Sequence, residues 1–265
     1  ILIVMVSQIS LDAVTTVATD AAGATLRLYR NQEAWVRKKS DGSPVTEADM
    51  ASEHVIREGL QSFDSAIPYL SEESCEPTYD ERKHWRRFWL VDPLDGTKEF
   101  LRGTDEFTVN IALIEDGEPV LGVVVAPALR LSYFAAKGQG AWKRVDGQRA
   151  ERIVSRVADP VAPLRIVESR SHPTPALETF LRNYEVCERL KIGSSLKFCL
   201  LAEGVVDVYA RLGPTMEWDV GAGDCIYRNS AEGVPHSSSL IYNKPSLKND
   251  PFVLGLPSGS YKLPL

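Results

Sequence analysis

The residues best placed to do chemistry follow a hydrophobic run. Trp89-Leu90-Val91 feeds directly into Asp92-Pro93-Leu94-Asp95-Gly96-Thr97. Proline fixes the backbone of such a turn and removes a donor, while glycine permits a tight bend or the close approach of a ligand. Asp92 and Asp95 can therefore converge at one strand end, with the Leu94 carbonyl between them as a third hard oxygen. Oxygen sets of this kind suit Mg²⁺, which demands near-octahedral geometry and keeps several of its waters. Just past the turn, the amides of Gly96 and Thr97 are placed to face a phosphate. In isolation the stretch is equally compatible with a simple Asx turn after a strand. Two more acidic clusters weigh against that reading. Leu70-Ser71-Glu72-Glu73 sets two carboxylates right after another short apolar run, and Met216-Glu217-Trp218-Asp219 sets one beside a tryptophan at the start of an apolar helix. Alone, the first is a solvated loop and the second a helix N-cap. Together with Asp92 and Asp95 they outline a metal site split over three segments, suited to metal-assisted hydrolysis of a phosphate ester.

The elements that must position these groups are legible from hydrophobic spacing. Ile9, Ala13, Val17, Ala21, Ala24 and Leu28 recur at helical intervals and predict an amphipathic helix over residues 7–29. A polar stretch at 38–44 interrupts it. Thr46 then suits an N-cap, with Glu47 and Asp49 in the first turn of a second helix. Short apolar runs predict strands at 67–70, 88–91, 107–115, 120–126 and 131–135, two of them joined by a turn at Asp116-Gly117. In the second half, strands are predicted at 164–168, 186–190 and 205–210, and helices at 174–183, 194–203 and 217–227. This is an α/β (α+β) pattern of two packed αβ halves. Residues 1–150 carry most of the candidate metal ligands, and residues 151–265 carry Asp219 and the groups that select substrate. The boundary is expected in 149–162, near Asp159-Pro160.

Composition narrows the function. The 265 residues carry a net charge of −6 with no basic run, which speaks against a nucleic-acid partner. Cys75, Cys187, Cys199 and Cys225 lie far apart, so neither a zinc site nor a disulfide framework is expected, and mostly buried, reduced thiols are. The apolar opening, residues 1–6, is too short to span a bilayer and lacks the basic flank of a signal peptide. A cytoplasmic protein is expected, with peripheral association at the inner membrane left open. The four histidines, His54, His84, His172 and His236, show no ligand spacing. Lys137-Gly138-Gln139-Gly140 reads as a strand turn and Gly221-Ala222-Gly223 as a close helix contact, since neither completes a dinucleotide fingerprint. No P-loop and no nucleophile elbow occurs.

The blocks around Glu72, Asp92–Thr97 and Trp218-Asp219, in this order and spacing, resemble the signature of the inositol monophosphatase superfamily of lithium-sensitive, metal-dependent phosphatases. Ser43-Pro44-Val45-Thr46-Glu47-Ala48-Asp49, Thr97-Lys98-Glu99-Phe100 and Gly193-Ser194-Ser195-Leu196-Lys197 are similar to its 3′(2′),5′-bisphosphate nucleotidase branch, which serves sulfur metabolism. The resemblance covers nearly the whole chain and implies a layered αβαβα sandwich. It implies that Glu72, Asp92, Asp95, the Leu94 carbonyl and Asp219 hold Mg²⁺, with two or three ions activating water, and that Glu72 also serves the catalytic step. It implies that Thr97 and Asp49 form a dyad that orients and deprotonates the attacking water. A threonine hydroxyl is a poor base alone, so an aspartate partner is chemically necessary.

Substrate contacts are expected from Leu94, Asp95, Gly96, Thr97 and Asp219, and from Gly193, Ser194 and Ser195, whose amides and hydroxyls open a helix. Lys197 and Arg211 are candidates for a second phosphate or an adenine edge. Arg211 falls close to where inositol-selective relatives carry a glutamate, and a cation there favours an additional phosphate. The implied reaction removes the 3′-phosphate of adenosine 3′,5′-bisphosphate to give AMP, with 3′-phosphoadenylyl sulfate as a further substrate. Inositol monophosphate or a sugar bisphosphate is the alternative with the same chemistry. A non-catalytic nucleotide- or metal-binding regulator is the alternative from another class. The segment 228–240 is shorter and more polar than the family pattern, and oligomeric state is not legible.

Overall fold

The computed structural model describes residues 9–31, 35–39, 44–74, 76–231, 236 and 238–263. The apolar opening at 1–6, Ser43, Cys75 and part of the 228–240 segment lie outside them. Of the residues whose spacing predicted the first helix, Val17, Ala21 and Ala24 are buried in α1 (Leu11–Leu28), together with Val14, Ala18 and Ala22. After strands β1 (Val36–Lys38) and β2 (Pro44–Thr46), α2 (Glu47–Phe63) starts with Thr46 as the expected N-cap, which closes a capping box with Asp49. Then come β3 (Tyr69–Ser71), α3 (Tyr79–Arg82), β4 (Arg87–Asp95) and α4 (Thr97–Arg102). A meander follows: β5 (Thr108–Glu115), β6 (Glu118–Ala126), β7 (Leu131–Ala136), β8 (Gly140–Val145) and β9 (Glu151–Ile153). The chain closes with β10 (Leu164–Ser169), α5 (Pro175–Leu181), β11 (Val186–Ile192), α6 (Leu196–Ala202), β12 (Val208–Arg211), α7 (Glu217–Asn229) and β13 (Phe252–Leu254).

Alternation along the strands builds the layers. The larger sheet has seven strands in the order β3-β4-β5-β6-β7-β8-β9, parallel only between β3 and β4. Trp89, Val91, Ile111 and Val123 face α1 and α2, where they meet Val14, Ala18, Ile56 and Leu60. Phe88, Leu90, Ala112 and Val124 face the other way, onto α6 and α7 through Phe198, Leu201, Val220 and Ile226. With both faces covered, β4 and β5 are buried at nearly every position, and apolar runs fill the middle of each. The second sheet, in the order β11-β10-β12-β13, sends Val167 and Tyr209 toward α6 and α7, and Ile166 and Val208 toward α5. The layers therefore run α, β, α, β, α, the sandwich the resemblance implied.

Helix α7 lies unusually close to the sheet. A Cβ on Gly122 would stand 2.5 Å from the Ala222 carbonyl oxygen and 2.6 Å from the Cys225 Cβ, while one on Gly223 would stand 2.5 Å from Phe198. The close contact read into Gly221-Ala222-Gly223 is thus present. Gly122→Ala forces α7 off the sheet, and overpacking of this kind costs about 2–3 kcal/mol. The urea midpoint of that variant should fall accordingly, and an unchanged midpoint would show that the contact can relax.

Several expectations need correction. Gly138 and Gly140 do form a strand turn, but β8 beyond it, β9 inside the 149–162 stretch and β13 were not among the expected strands. Strands β8 and β9 are short or half-exposed at the sheet's edge and lack an apolar run. Helix α6 begins at Leu196 rather than residue 194, because Ser194 takes φ +56°, outside the right-handed helical region. Cys199 and Cys225 are buried free thiols, but Cys187 is exposed on edge strand β11. Among the described residues no helix is long and apolar enough to cross a membrane.

Candidate active site

Three segments bring their carboxylates to one point. Oxygens of Glu72, Asp92 and Asp219 all lie within 4.8 Å of one another. Parallel pairing of Leu70 with Leu90 and Ser71 with Val91 carries Glu72 alongside Asp92, and the Glu72 amide donates to the Val91 carbonyl at 3.2 Å. Buried Glu53 of α2 anchors the end of β3 by accepting hydrogen bonds from Tyr69 (2.7 Å), Ser71 (2.7 Å) and Ser74 (2.8 Å).

The second segment owes its shape to a break in the ladder. Strand β4 pairs with β5 up to Asp92 opposite Asn110 and resumes only at Asp95 opposite Thr108. The Asp92 side chain accepts from the Leu94 amide at 3.1 Å, and the Ser52 hydroxyl of α2 donates to the Pro93 carbonyl at 2.7 Å. Gly96, at φ +90°, then turns the chain into α4, a conformation that favours glycine. Asp219 is the third segment, held in the first turn of α7 by the Met216 amide at 2.8 Å. Asp95 lines the same pocket as Glu72 and Asp219 and accepts from the Ser194 hydroxyl at 2.8 Å.

Asp49 is buried behind this cluster. One of its oxygens accepts from the Thr46 amide (2.7 Å) and hydroxyl (2.6 Å), which caps α2. The other accepts from the Thr97 hydroxyl at 3.5 Å, so helix capping and a Thr97–Asp49 pair coexist in one side chain. Thr97 also stands 3.4 Å from the Leu94 carbonyl oxygen. Burial, partly offset by the Thr46 hydrogen bonds, pushes the Asp49 carboxyl up to about 6.

The electrostatics of the cluster ask for a cation. Burial first, then the neighbouring Glu72, Asp95 and Asp219, hold Asp92 well above the usual carboxylate range. Burial and Asp95 push Asp219 up to about 8, and burial lifts Asp95 too, with Lys197 working against it. The ammonium of Lys39 bridges Glu72 at 2.7 Å and Glu73 at 2.6 Å. Burial disfavours that charge, but the two carboxylates outweigh it and raise the lysine above its ordinary value. One ammonium thus stands at the edge of a group of crowded carboxylates. Carboxylate and carbonyl oxygens, with no sulfur or imidazole among them, fit a hard divalent cation.

Beyond the carboxylates the pocket turns basic: Lys98, His172, Lys197 and Arg211 line it together with Gly96, Thr97, Ser194, Ser195 and Thr215.

Residues 8–231, most of the chain, match the inositol monophosphatase family. The chain belongs to the inositol monophosphatase family. Members of this family are metal-dependent phosphatases. The 3′(2′),5′-bisphosphate nucleotidase CysQ of Salmonella typhimurium strain LT2 is 48% identical over 217 residues, covering 82% of this chain and 86% of that protein. The Escherichia coli K12 CysQ is 46% identical over 217 residues with the same coverage. Among solved structures, CysQ from Bacteroides thetaiotaomicron superposes with a TM-score of 0.76 at 36% identity, over 92% of this chain and 95% of that one. The Thermotoga maritima IMPase, at 23% identity and a TM-score of 0.74 over 93% and 92% of the two chains, shares the fold.

Within this inositol monophosphatase fold, Asp49, Glu72, Asp92, Leu94, Asp95, Gly96, Thr97 and Asp219 gather as the sequence suggested, and Ser194, Ser195, Lys197 and Arg211 reach the same pocket. Three of the groups expected to select substrate are less available than the sequence suggested. The Gly193 amide is not free for an anion, because it donates to Glu106 at 2.8 Å. The Ser195 hydroxyl is buried and donates to Asn110 at 2.8 Å. The Lys197 ammonium is buried and donates to the Ser194 carbonyl, and burial, opposed by Asp95, brings it down to about 8. Arg211 is the more open group: its Nη2 donates to the Pro214 carbonyl at 2.9 Å, while its buried Nε has no partner among the described residues. Sequence reasoning missed Lys39 and set His172 aside with the other histidines. His172 stands 3.1 Å from the Lys98 ammonium, and burial together with Lys98 and Arg211 holds its imidazole below the usual value. Its place just past the end of β10 was the available signal, since sites gather at strand ends in α/β folds.

Proposed function

We propose that this chain is a Mg²⁺-dependent phosphatase that removes the 3′-phosphate of adenosine 3′,5′-bisphosphate, leaving AMP, and that it also accepts 3′-phosphoadenylyl sulfate. One observation carries the reading: a single pocket joins the oxygen cluster of Glu72, Asp95 and Asp219 to the cations Lys98, Lys197 and Arg211. An ester with one phosphate has use for the first set alone. A second anionic group on the substrate is what the other set would recognise. The names of the CysQ relatives support the same substrate class.

In this reading Glu72, Asp92, Asp95, the Leu94 carbonyl and Asp219 hold the cations. Bound there, divalent ions neutralise phosphate charge and lower the pKa of water. The protein's own groups do the rest. The Thr97 hydroxyl orients the water and takes its proton as the water oxygen bonds to phosphorus, while passing its own proton to the Asp49 carboxylate. The bond from phosphorus to the 3′-oxygen breaks, that oxygen takes up a proton, and inorganic phosphate leaves. Amides at the Gly96–Thr97 turn stabilise charge on the transferring group. Glu72, Thr97 and Asp49 are thus the catalytic residues, and no covalent enzyme intermediate is required.

Chromatography of the products tests the orientation: AMP is expected, whereas adenosine 3′-phosphate would mean that the other phosphate sits at the cluster. Arg211→Ala tests the cationic set. A charge-assisted hydrogen bond to phosphate is worth about 1.5–3 kcal/mol. KM for adenosine 3′,5′-bisphosphate should rise about 10- to 100-fold. KM for adenosine 3′-monophosphate should move less than about twofold. Equal increases for both would remove Arg211 from substrate selection.

A further inference from the structure

Glu106 lies outside the groups assigned to cation or substrate, yet it holds the turn that reaches Asp95. Its Oε2 accepts from the Gly193 amide at 2.8 Å and from Arg170 Nε at 2.7 Å, and its Oε1 accepts from Arg170 Nη2 at 2.7 Å. Arg170 also donates to the Lys191 carbonyl at 2.6 Å, within β11, so the grip on the turn itself is that of the Glu106 carboxylate. Gly193 is pressed against this grip: a Cβ there would stand 2.8 Å from the Glu106 carbonyl oxygen and 2.8 Å from Glu99 Cγ. The next residue, Ser194, takes φ +56°, a region non-glycine residues rarely occupy. Such a conformation persists only where its surroundings over-determine it. From the other side the Lys197 ammonium holds the Ser194 carbonyl. The outcome is a serine hydroxyl aimed at Asp95 Oδ2 at 2.8 Å.

We infer that Glu106 is a positioning residue of the cation site: by fixing Gly193 it sets Ser194, whose hydroxyl orients the Asp95 carboxylate. The inference rests on Asp95 being a cation ligand, as proposed above. Partners that orient a ligand typically govern 10- to 100-fold of metal affinity. A plain rim ion pair between Glu106 and the half-exposed Arg170 would contribute little.

The test is Mn²⁺ titrated into metal-free protein, with free ion counted by electron paramagnetic resonance, so that binding is read apart from turnover. Glu106→Ala and Ser194→Ala should each weaken binding about tenfold, and the double variant no further, because both act through one hydrogen bond. Glu106→Gln, which keeps an acceptor for Gly193, and Arg170→Ala should stay within about twofold of the parent. The inference is overturned if Glu106→Ala binds Mn²⁺ normally, if the two single effects add, or if Arg170→Ala loses as much as Glu106→Ala. Should Glu106→Ala fail to fold, normal binding by Ser194→Ala overturns it instead. Asp95→Asn separates the layers of the argument. Normal binding there removes Asp95 as a ligand and the inference with it, whereas weakened binding beside a normal Glu106→Ala removes the positioning role alone.

Discussion

Asp95→Asn will lower turnover by about a thousandfold in saturating Mg²⁺, the loss seen when one pre-organised electrostatic group is removed from a water-poor site. The substitution keeps the shape and the acceptor for the Ser194 hydroxyl, so the change is confined to charge. It will not harm the metal-free fold. Asp95 stands beside Asp92 and Asp219, and after burial its charge is among those that hold both of their carboxyls above the usual range. Removing one mutually repelling charge relieves that crowding, so the metal-free variant should melt at or above the temperature of the parent. The parent should gain stability on adding Mg²⁺, by mass action on the folded state, and the variant much less. Calorimetry with and without Mg²⁺, beside a turnover assay, checks all three statements. A variant with near-normal turnover would remove Asp95 from the cation site.

Asp49→Asn is expected to cut kcat by about 100- to 1,000-fold, within the range for loss of a general base. KM should stay nearly constant, because Asp49 is buried behind Thr97 and a group acting only in the transition state leaves ground-state binding unchanged. The same carboxylate caps α2 through the Thr46 amide and hydroxyl. Asn keeps an oxygen acceptor for those two donors and removes a charge that burial disfavours, so stability should change by less than about 1 kcal/mol. Thr97→Val breaks the contact to Asp49 and leaves the cap untouched. That variant should match the kinetic loss. If it turns over normally, Asp49 is a helix cap and nothing more.

Much of the architecture was legible because burial on both faces leaves long apolar runs. Strands β5 and β6 were expected within two residues of their observed limits, and the Thr46 cap was readable from residue types alone. The last two strands of the meander were not. In β8 most positions are half-exposed, and β9 has only Ile153 buried, so no periodicity marks them. Convergence of Glu72, Asp92 and Asp219 was visible as three acidic groups at element ends, although only the parallel pairing of β3 with β4 makes Glu72 a neighbour of Asp92. The substrate side was harder. A glycine-serine stretch before a helix looks like a row of free donors, but Glu106, 87 residues away, occupies the Gly193 amide, and Asn110 takes the Ser195 hydroxyl. His172 was set aside with the other histidines because its partner Lys98 comes from α4, 74 residues away in the chain. Such pairings exist only once the two sheets have met.

The most direct test of the central claim is release of phosphate from adenosine 3′,5′-bisphosphate, measured beside inositol 1-phosphate, each with Mg²⁺ and with EDTA. Release that requires Mg²⁺ and strongly favours the nucleotide is the predicted result. Preference for the inositol ester would keep the oxygen cluster and its chemistry but contradict the role given to Lys197 and Arg211. Release that survives EDTA, or none from either ester by folded, Mg²⁺-loaded protein, would contradict the account itself.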